Sequence, residues 1–147
     1  MSDEIPEQTT DLLQRYIDAH GYLSWLGTRV ESMDYGELVM TIPFDEKFTD
    51  EEENPPTVHN GIVTTLMEQT GELAIRTTLD DPVNDLVEPL NINVNFLHDA
   101  VHDLTGYAEV VEMRETSAIA TITVESRTPT GNMESIATGQ GVFRVEN

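Results

Sequence analysis

A chain of 147 residues is long enough for one domain with a sizeable core, and no repeat or linker divides it. It holds no cysteine, which excludes disulfides, thiolate metal sites and cysteine nucleophiles. Asp and Glu total 28 against 7 Lys and Arg, a formal net charge of -21, and such a surface argues against nucleic-acid binding, which relies on clustered cations.

The charge has a second reading. Lys47 is the only lysine; the other cations are arginines. The acids are spread along the chain among apolar segments, apart from a cluster at 50–53, so they describe a folded surface rather than a disordered tail. At molar salt the Debye length falls to about 3 Å, self-repulsion is screened and carboxylates keep the surface hydrated. The composition fits a protein from a salt-accumulating halophilic archaeon. Transfer to about 0.01 M salt, where the Debye length is roughly 30 Å, is therefore expected to cost structure. Circular dichroism across a salt series checks this; an unchanged spectrum and melting point at low salt overturns it. The acidic start, MSDEIPEQTT, lacks the basic and apolar regions of a signal peptide. No apolar run approaches the roughly 18 residues of a membrane helix. The expectation is a cytoplasmic protein without a membrane partner.

In chain order, the first nine residues read as loose. Leu12, Leu13, Tyr16 and Ile17 have helical spacing, which predicts a helix over 10–20, capped by Thr9 or Thr10 and ended by Gly21. Two strands follow, over 26–33 and 37–42, joined by a turn at Asp34-Tyr35-Gly36. Residues 44–58 form a long acidic loop, and long loops inside compact domains are often functional. A helix is predicted over 60–79, stopped by Asp80-Asp81-Pro82. The period then changes to two: Leu90, Ile92, Val94 and Phe96 alternate with Asn91, Asn93 and Asn95. Further strands are predicted over 104–115, 117–127 and 132–145, with a turn at 128–131. Strands on both sides of one long helix predict an α+β domain, its last four strands an antiparallel meander.

The central helix holds the candidate chemistry. Ile62, Leu66, Thr70 and Leu73 share one side, flanked by Val63, Met67 and Ala74, and form the sheet-facing stripe. Gly61, Thr64, Thr65, Glu68, Glu72 and Ile75 lie roughly opposite. Acidic helix faces are commonly solvated, and Glu72 has a surface-type partner in Arg76 four residues on. Glu68 has no cation three or four residues away, and its neighbours are small. Asn60 is a favoured N-cap residue. First-turn amides lack helical partners and lie at the positive end of the dipole, so they can hold a carbonyl oxygen that becomes an oxyanion. Gly61 allows close approach there. Glu68 lies two turns further on, about 10 to 12 Å at 1.5 Å per residue. That is too far for both to act on one carbonyl within a chain. A symmetric dimer solves this by placing one helix start near the partner's acid.

The segment Thr57-Val58-His59-Asn60-Gly61, with an acid nine residues after the histidine, resembles the hotdog-fold thioesterases. It is most similar to the branch with the phenylacetate-degradation and human acyl-CoA thioesterases. Supporting matches are Tyr35-Gly36-Glu37-Leu38-Val39 before Pro43, and Asn93-Val94-Asn95-Phe96-Leu97 followed by Ala100. The resemblance covers about residues 20 to 145. It implies an antiparallel sheet wrapped around one long central helix, and hydrolysis of an acyl-CoA to a carboxylic acid and CoA without metal or other cofactor. It assigns the oxyanion donor to the Asn60 amide, helped by Gly61, the base or nucleophile to Glu68 of the partner subunit, and a turn-fixing place near the site to His59. A homodimer, assembled further as a dimer of dimers, is the expected state.

Some positions depart from the family pattern. Asn60 replaces the first glycine of the usual pair. Asn54-Pro55 stands one residue closer to the histidine than the usual asparagine. Glu88-Pro89 replaces a hydroxyl residue entering the strand, and His98-Asp99 replaces an Arg-Pro. Asn54, Thr64, Thr65 and Pro89 are the remaining candidates to line the substrate, and Arg76, Arg114 and Arg127 the candidates for CoA phosphates. The alternative is a non-catalytic acyl-CoA-binding hotdog domain. A hotdog hydratase lacks its Asp and His signature here, and the histidines lack metal-ligand spacing.

Overall fold

The computed structural model describes residues 8–50 and 52–146. Helix α1 spans Gln8–Ala19 and α2 spans Gly21–Trp25. Gln8 and Thr9, read as loose, are helical; the other seven residues of that stretch lie outside the described residues. Leu13 and Ile17 are buried, whereas Leu12 and Tyr16 are exposed, so α1 seals the core through one narrow i, i+4 stripe. Gly21 opens α2 rather than simply ending α1, because the His20 side chain caps the Leu23 amide.

Strands β1 (Arg29–Asp34) and β2 (Glu37–Ile42) form the predicted hairpin, with Gly36 at φ +75 in its turn. The first strand starts three residues later than predicted. Leu26 is the C-cap of α2, and Gly27 at φ +72 breaks the extended run. The long loop is partly ordered by a 3-10 turn, Glu46–Phe48, and by two short paired strands, β3 (Thr49–Asp50) and β4 (Thr57–Val58).

Helix α3 spans Asn60–Arg76 and ends before the predicted Leu79. The Thr77 and Thr78 hydroxyls donate to the carbonyls of Ala74 (2.6 Å) and Ile75 (2.7 Å) and close the helix early. Asp80-Asp81-Pro82 lies in the turns beyond. The predicted stripe from Ile62 to Ala74 is buried as expected. The opposite face is not uniform. It is partly open at Thr64, Thr65 and Glu68, but every residue from Thr70 to Thr77 is buried.

The remaining strands are β5 (Leu86–Phe96), β6 (Leu104–Met113), β7 (Ser117–Arg127) and β8 (Met133–Glu146). The sheet order is β1-β2-β6-β7-β8-β5, with every neighbouring pair antiparallel. Only β6, β7 and β8 form a meander. The chain leaving α3 enters at the far edge as β5, then crosses the strand ends back to β6. The Leu97 amide bonds the Ile136 carbonyl (2.8 Å) and the Val101 amide the Arg127 carbonyl (2.9 Å) along that crossing. The edge position also corrects the expected alternation. Ile92 and Val94 are half-buried, but Leu90 and Phe96 are exposed, and a bulge between Pro89 and Asn91 interrupts the register.

The inner face of the sheet cradles α3. At Gly106 an added Cβ would stand 2.6 Å from Thr70 Oγ1 and 3.1 Å from Leu66 Cγ, so glycine sets how closely the helix lies on the sheet. On the outer face, one row across all six strands reads Ser32, Val39, Tyr107, Thr123, Thr138 and Asn95. It carries no charge. Among the described residues no helix is long and apolar enough to cross a membrane.

Candidate active site

The helix start is built from its own sequence. His59, not Asn60, is the N-cap: it has extended geometry (φ -60, ψ 136), and its Nδ1 accepts the Gly61 N–H at 2.8 Å. Acceptance fixes Nδ1 as the unprotonated nitrogen of the ring. The His59 N–H in turn donates to the Phe48 carbonyl (2.8 Å), which ties the helix start to the 3-10 turn. Gly61 permits close approach, as expected, but of the His59 ring. An added Cβ would lie 3.0 Å from Nδ1.

This changes the assignment of donors. The Gly61 amide is engaged by the cap, and the amides of Ile62 (2.9 Å) and Val63 (3.5 Å) turn to the His59 carbonyl. Among the described residues the Asn60 N–H has no acceptor, and Asn60 is exposed. One free amide therefore remains at the positive end of the helix. His59→Ala removes the cap and is expected to destabilise the fold by about 1 kcal/mol, within a usual range of roughly 0.5 to 2. Denaturant midpoints check this, and an unchanged midpoint removes the cap from the account.

Glu68 is half-buried two turns along, with no hydrogen-bond or ionic partner among the described residues. Burial pushes its carboxyl above the ordinary carboxylate range. Glu72, one turn further, is not the surface residue its spacing suggested. Its carboxylate accepts from Arg76 Nε at 3.1 Å, both side chains only about a tenth exposed. Burial raises the Glu72 carboxyl too, outweighing the opposing pull of Arg76, with Glu68 adding like charge. Arg76 NH1 also binds the carbonyls of Pro82 (3.0 Å) and Asp85 (2.8 Å). A guanidinium so occupied is not available for CoA phosphates.

Thr64 and Thr65 flank the helix start, but their hydroxyls donate to the Asn60 and Gly61 carbonyls, each at 3.0 Å. Since Thr65 has spent its proton, Tyr22 Oη, 3.0 Å away, is the donor to Thr65 Oγ1. Through this bond α2 rests on the outer face of α3.

Two clefts flank the helix start. A cleft of about 510 Å³ is lined by Asn60, Phe96, Leu97 and His98, together with the β7–β8 turn at Thr128 and Thr130. The other, about 330 Å³, lies between α2 and the 3-10 turn and is lined by Tyr22, Lys47, Phe48, His59, Gly61 and Ile62. Arg127 directly precedes Thr128 of the larger cleft but is not among its lining residues, and its NH1 is on the Gly131 carbonyl (2.9 Å). Arg114 stands at the opposite end of the sheet, held by Glu112 (2.7 Å). Pro89 is seven residues before Phe96, roughly 23 Å along β5 at 3.3 Å per residue. Asn54 is exposed in the loop and lines neither cleft. The structure thus gathers His59, Asn60, Gly61, Thr64 and Thr65 around the helix start, with Arg127 nearby. It leaves Glu68, Pro89 and Arg114 away from it within one chain.

Sequence reasoning missed the α2 cluster. Tyr22 stacks near Trp25 (6.2 Å between centroids), and Trp25 meets Phe48 edge-on (5.2 Å). Three of the nine aromatic residues gather here, in a chain only 6% aromatic, and that clustering was the available signal.

Comparison with known proteins places this geometry. Residues 56–131, which hold α3 and strands β5, β6 and β7, match the family model described as "Thioesterase superfamily". A Halobacterium salinarum protein named "Putative esterase" is 40% identical over 136 residues, 91% of this chain and 90% of that one. A thioesterase from Haemophilus influenzae superposes with a TM-score of 0.79 at 20% identity, covering 99% of this chain and 96% of its own. A thioesterase family protein from Silicibacter pomeroyi gives 0.78 at 23%, covering 91% and 95%. The sheet wrapped around α3 is the hotdog fold. The family match spans the helix start and Glu68 alike, and the chain belongs to the thioesterase superfamily.

Proposed function

We propose that the protein is an acyl-CoA thioesterase whose active sites form between two subunits. The free Asn60 N–H is the observation that carries this reading. A thioester carbonyl placed on it accepts a hydrogen bond that strengthens as the oxygen becomes an oxyanion; one such donor contributes about 2.7 to 4 kcal/mol. Glu68 of the other subunit takes a proton from water, and the water oxygen bonds to the carbonyl carbon. The C–S bond then breaks, and the departing CoA thiolate takes the proton back from Glu68. The products are a carboxylic acid and CoA thiol. The raised basicity of a desolvated carboxylate suits this water-activating role.

The eight-residue offset between Asn60 and Glu68 supports assembly as a homodimer. The uncharged row on the outer sheet face, in a chain of net charge -21, supports a further contact giving a dimer of dimers. Arg127 beside the larger cleft is the candidate for CoA phosphates. The "Putative esterase" of a salt-loving archaeon, together with the charge, supports a cytoplasmic enzyme working at high salt. Thiol release from a panel of acyl-CoAs in molar salt tests the reading. Release from none of them overturns it in favour of a binding domain.

A further inference from the structure

The smaller cleft beside the helix start has a composition that selects a ligand. Its walls are Tyr22, Phe48 and Ile62, and its inner end is the capped turn of His59 and Gly61. Its rim carries Lys47, the one lysine of the chain. Lys47 is held in place: Nζ donates to the Trp25 carbonyl (2.8 Å) and lies over the Trp25 ring, 4.5 Å from its centroid, and 5.2 Å from that of Phe48. The Tyr22 wall is fixed by its bond to Thr65.

Four of the seven cations, Arg15, Arg29, Lys47 and Arg127, have no carboxylate partner among the described residues, and of these Lys47 alone lines the smaller cleft. Arg76, Arg114 and Arg144 are each paired with a glutamate. Among the described residues Lys47 has no carboxylate partner, although acids outnumber cations four to one. The Asp45 carboxylate is turned instead to the Lys47 backbone N–H (3.0 Å). An ammonium has three donors, and the Trp25 carbonyl uses one. The remaining donors stand at the rim of a cleft with an apolar middle and an oxyanion donor close to its inner end.

The geometry points to the smaller cleft as the acyl subsite, with Lys47 selecting an acyl group that bears a carboxylate at its far end, the half-thioester of a dicarboxylic acid. This rests on the thioesterase reading and adds its substrate class. The carbonyl sits at Asn60, the methylene chain lies against Tyr22, Phe48 and Ile62, and the terminal carboxylate meets Lys47. The CoA arm leaves through the larger cleft. Elsewhere this surface repels an anionic acyl group; at Lys47 alone among the cleft residues it is met by a fixed cation.

Two pairs of equal chain length test it in molar salt: glutaryl-CoA against pentanoyl-CoA, and adipoyl-CoA against hexanoyl-CoA. The wild type is expected to favour the carboxylated member of at least one pair in kcat/KM. Lys47→Met is expected to shift that ratio toward the neutral member by about fivefold, a modest factor because salt screens an exposed pair. Lys47→Arg is expected to keep the wild-type ratio. A lysine that merely pins the 3-10 turn to α2 would change stability, or all rates together, and leave the ratio unmoved. An unmoved ratio, or a neutral preference by the wild type in both pairs, overturns the inference while leaving thioester hydrolysis standing. No thiol release from these four, with release from other acyl-CoAs of the panel, overturns the inference alone; release from none of the panel overturns both.

Discussion

Glu68→Gln is expected to lower thiol release by about 10²- to 10⁴-fold, the usual contribution of a positioned base. The same substitution is expected to raise Tm at neutral pH. The two effects share one cause. Burial holds the native Glu68 carboxyl above its unfolded value, so the protonated form fits the folded state better than the carboxylate does. Stability from that protonated form is fully present below the unfolded pKa and lost as pH rises through the folded one. Glutamine is neutral and nearly isosteric, so its advantage appears above that window and fades toward acid pH. In the wild type, kcat/KM rises along an acidic limb displaced above the ordinary carboxylate range, and the variant's residual rate lacks that limb. Equal activity of the two proteins would remove Glu68 from the mechanism. A lower Tm in the variant would contradict the desolvation account.

Mixing variants tests where the acid comes from. Asn60→Pro deletes the proposed donor, and the first helical position tolerates proline. The extended geometry of His59 is also what a residue before proline requires. Each variant alone is expected to be nearly inactive. In a mixed two-fold dimer, one site combines both lesions and the other has neither. Random subunit exchange should therefore recover about a quarter of wild-type activity. If Asn60 and Glu68 of one chain served the same site, no combination would restore an intact site, and mixing would recover nothing.

Arg76→Ala carries the largest expected loss of stability, about 3 to 5 kcal/mol, the usual result of removing one partner of a buried ion pair. It strands the Glu72 carboxylate among buried residues and strips the Pro82 and Asp85 carbonyls of their donor. With Arg76 gone the Glu72 carboxyl is pushed further up, since burial and Glu68 are then opposed only by the weaker pull of His20. The deficit should be largest at neutral pH and shrink as pH falls and Glu72 takes a proton. Replacing the pair together, Glu72→Leu with Arg76→Met, should recover much of the loss. Chemical denaturation at two pH values measures both effects. A loss below about 1 kcal/mol, the range of surface pairs, would mean the pair is solvated after all.

These cases show what the sequence made legible. The sheet-facing stripe of α3, the β1–β2 hairpin and the run of strands after residue 103 follow from local periodicity, and they stand in kind, with some ends shifted by one to three residues. The free amide at the start of α3 was legible because orphan amides belong to any helix start. What escaped depended on contacts distant in the chain. Arg76 beside Glu72 reads as a surface pair by spacing alone. Its burial comes from the carbonyls at 82 and 85, on turns that fold back over the helix end. The cap passed from Asn60 to His59 because a histidine ring reaches forward to the amide two residues on, a local choice that residue preference ranks low. The place of β5 at the far edge follows from the path of α3 across the sheet, which no strand pattern encodes. The Tyr22–Trp25–Phe48 cluster joins segments more than twenty residues apart.

From Thr70 to Thr77 helix α3 is enclosed on every side, while its first two turns keep one open face. The helix is therefore a clamped rod, fixed at one end and presenting, in the proposed reaction, its chemistry at the other. Under that reaction, substitutions at 64, 65 or 68 are expected to alter the reacting surface more than the clamp, and those at 70–77 to act chiefly on stability. A scaffold divided in this way lets specificity drift by single steps at one end while the fold is held by the other.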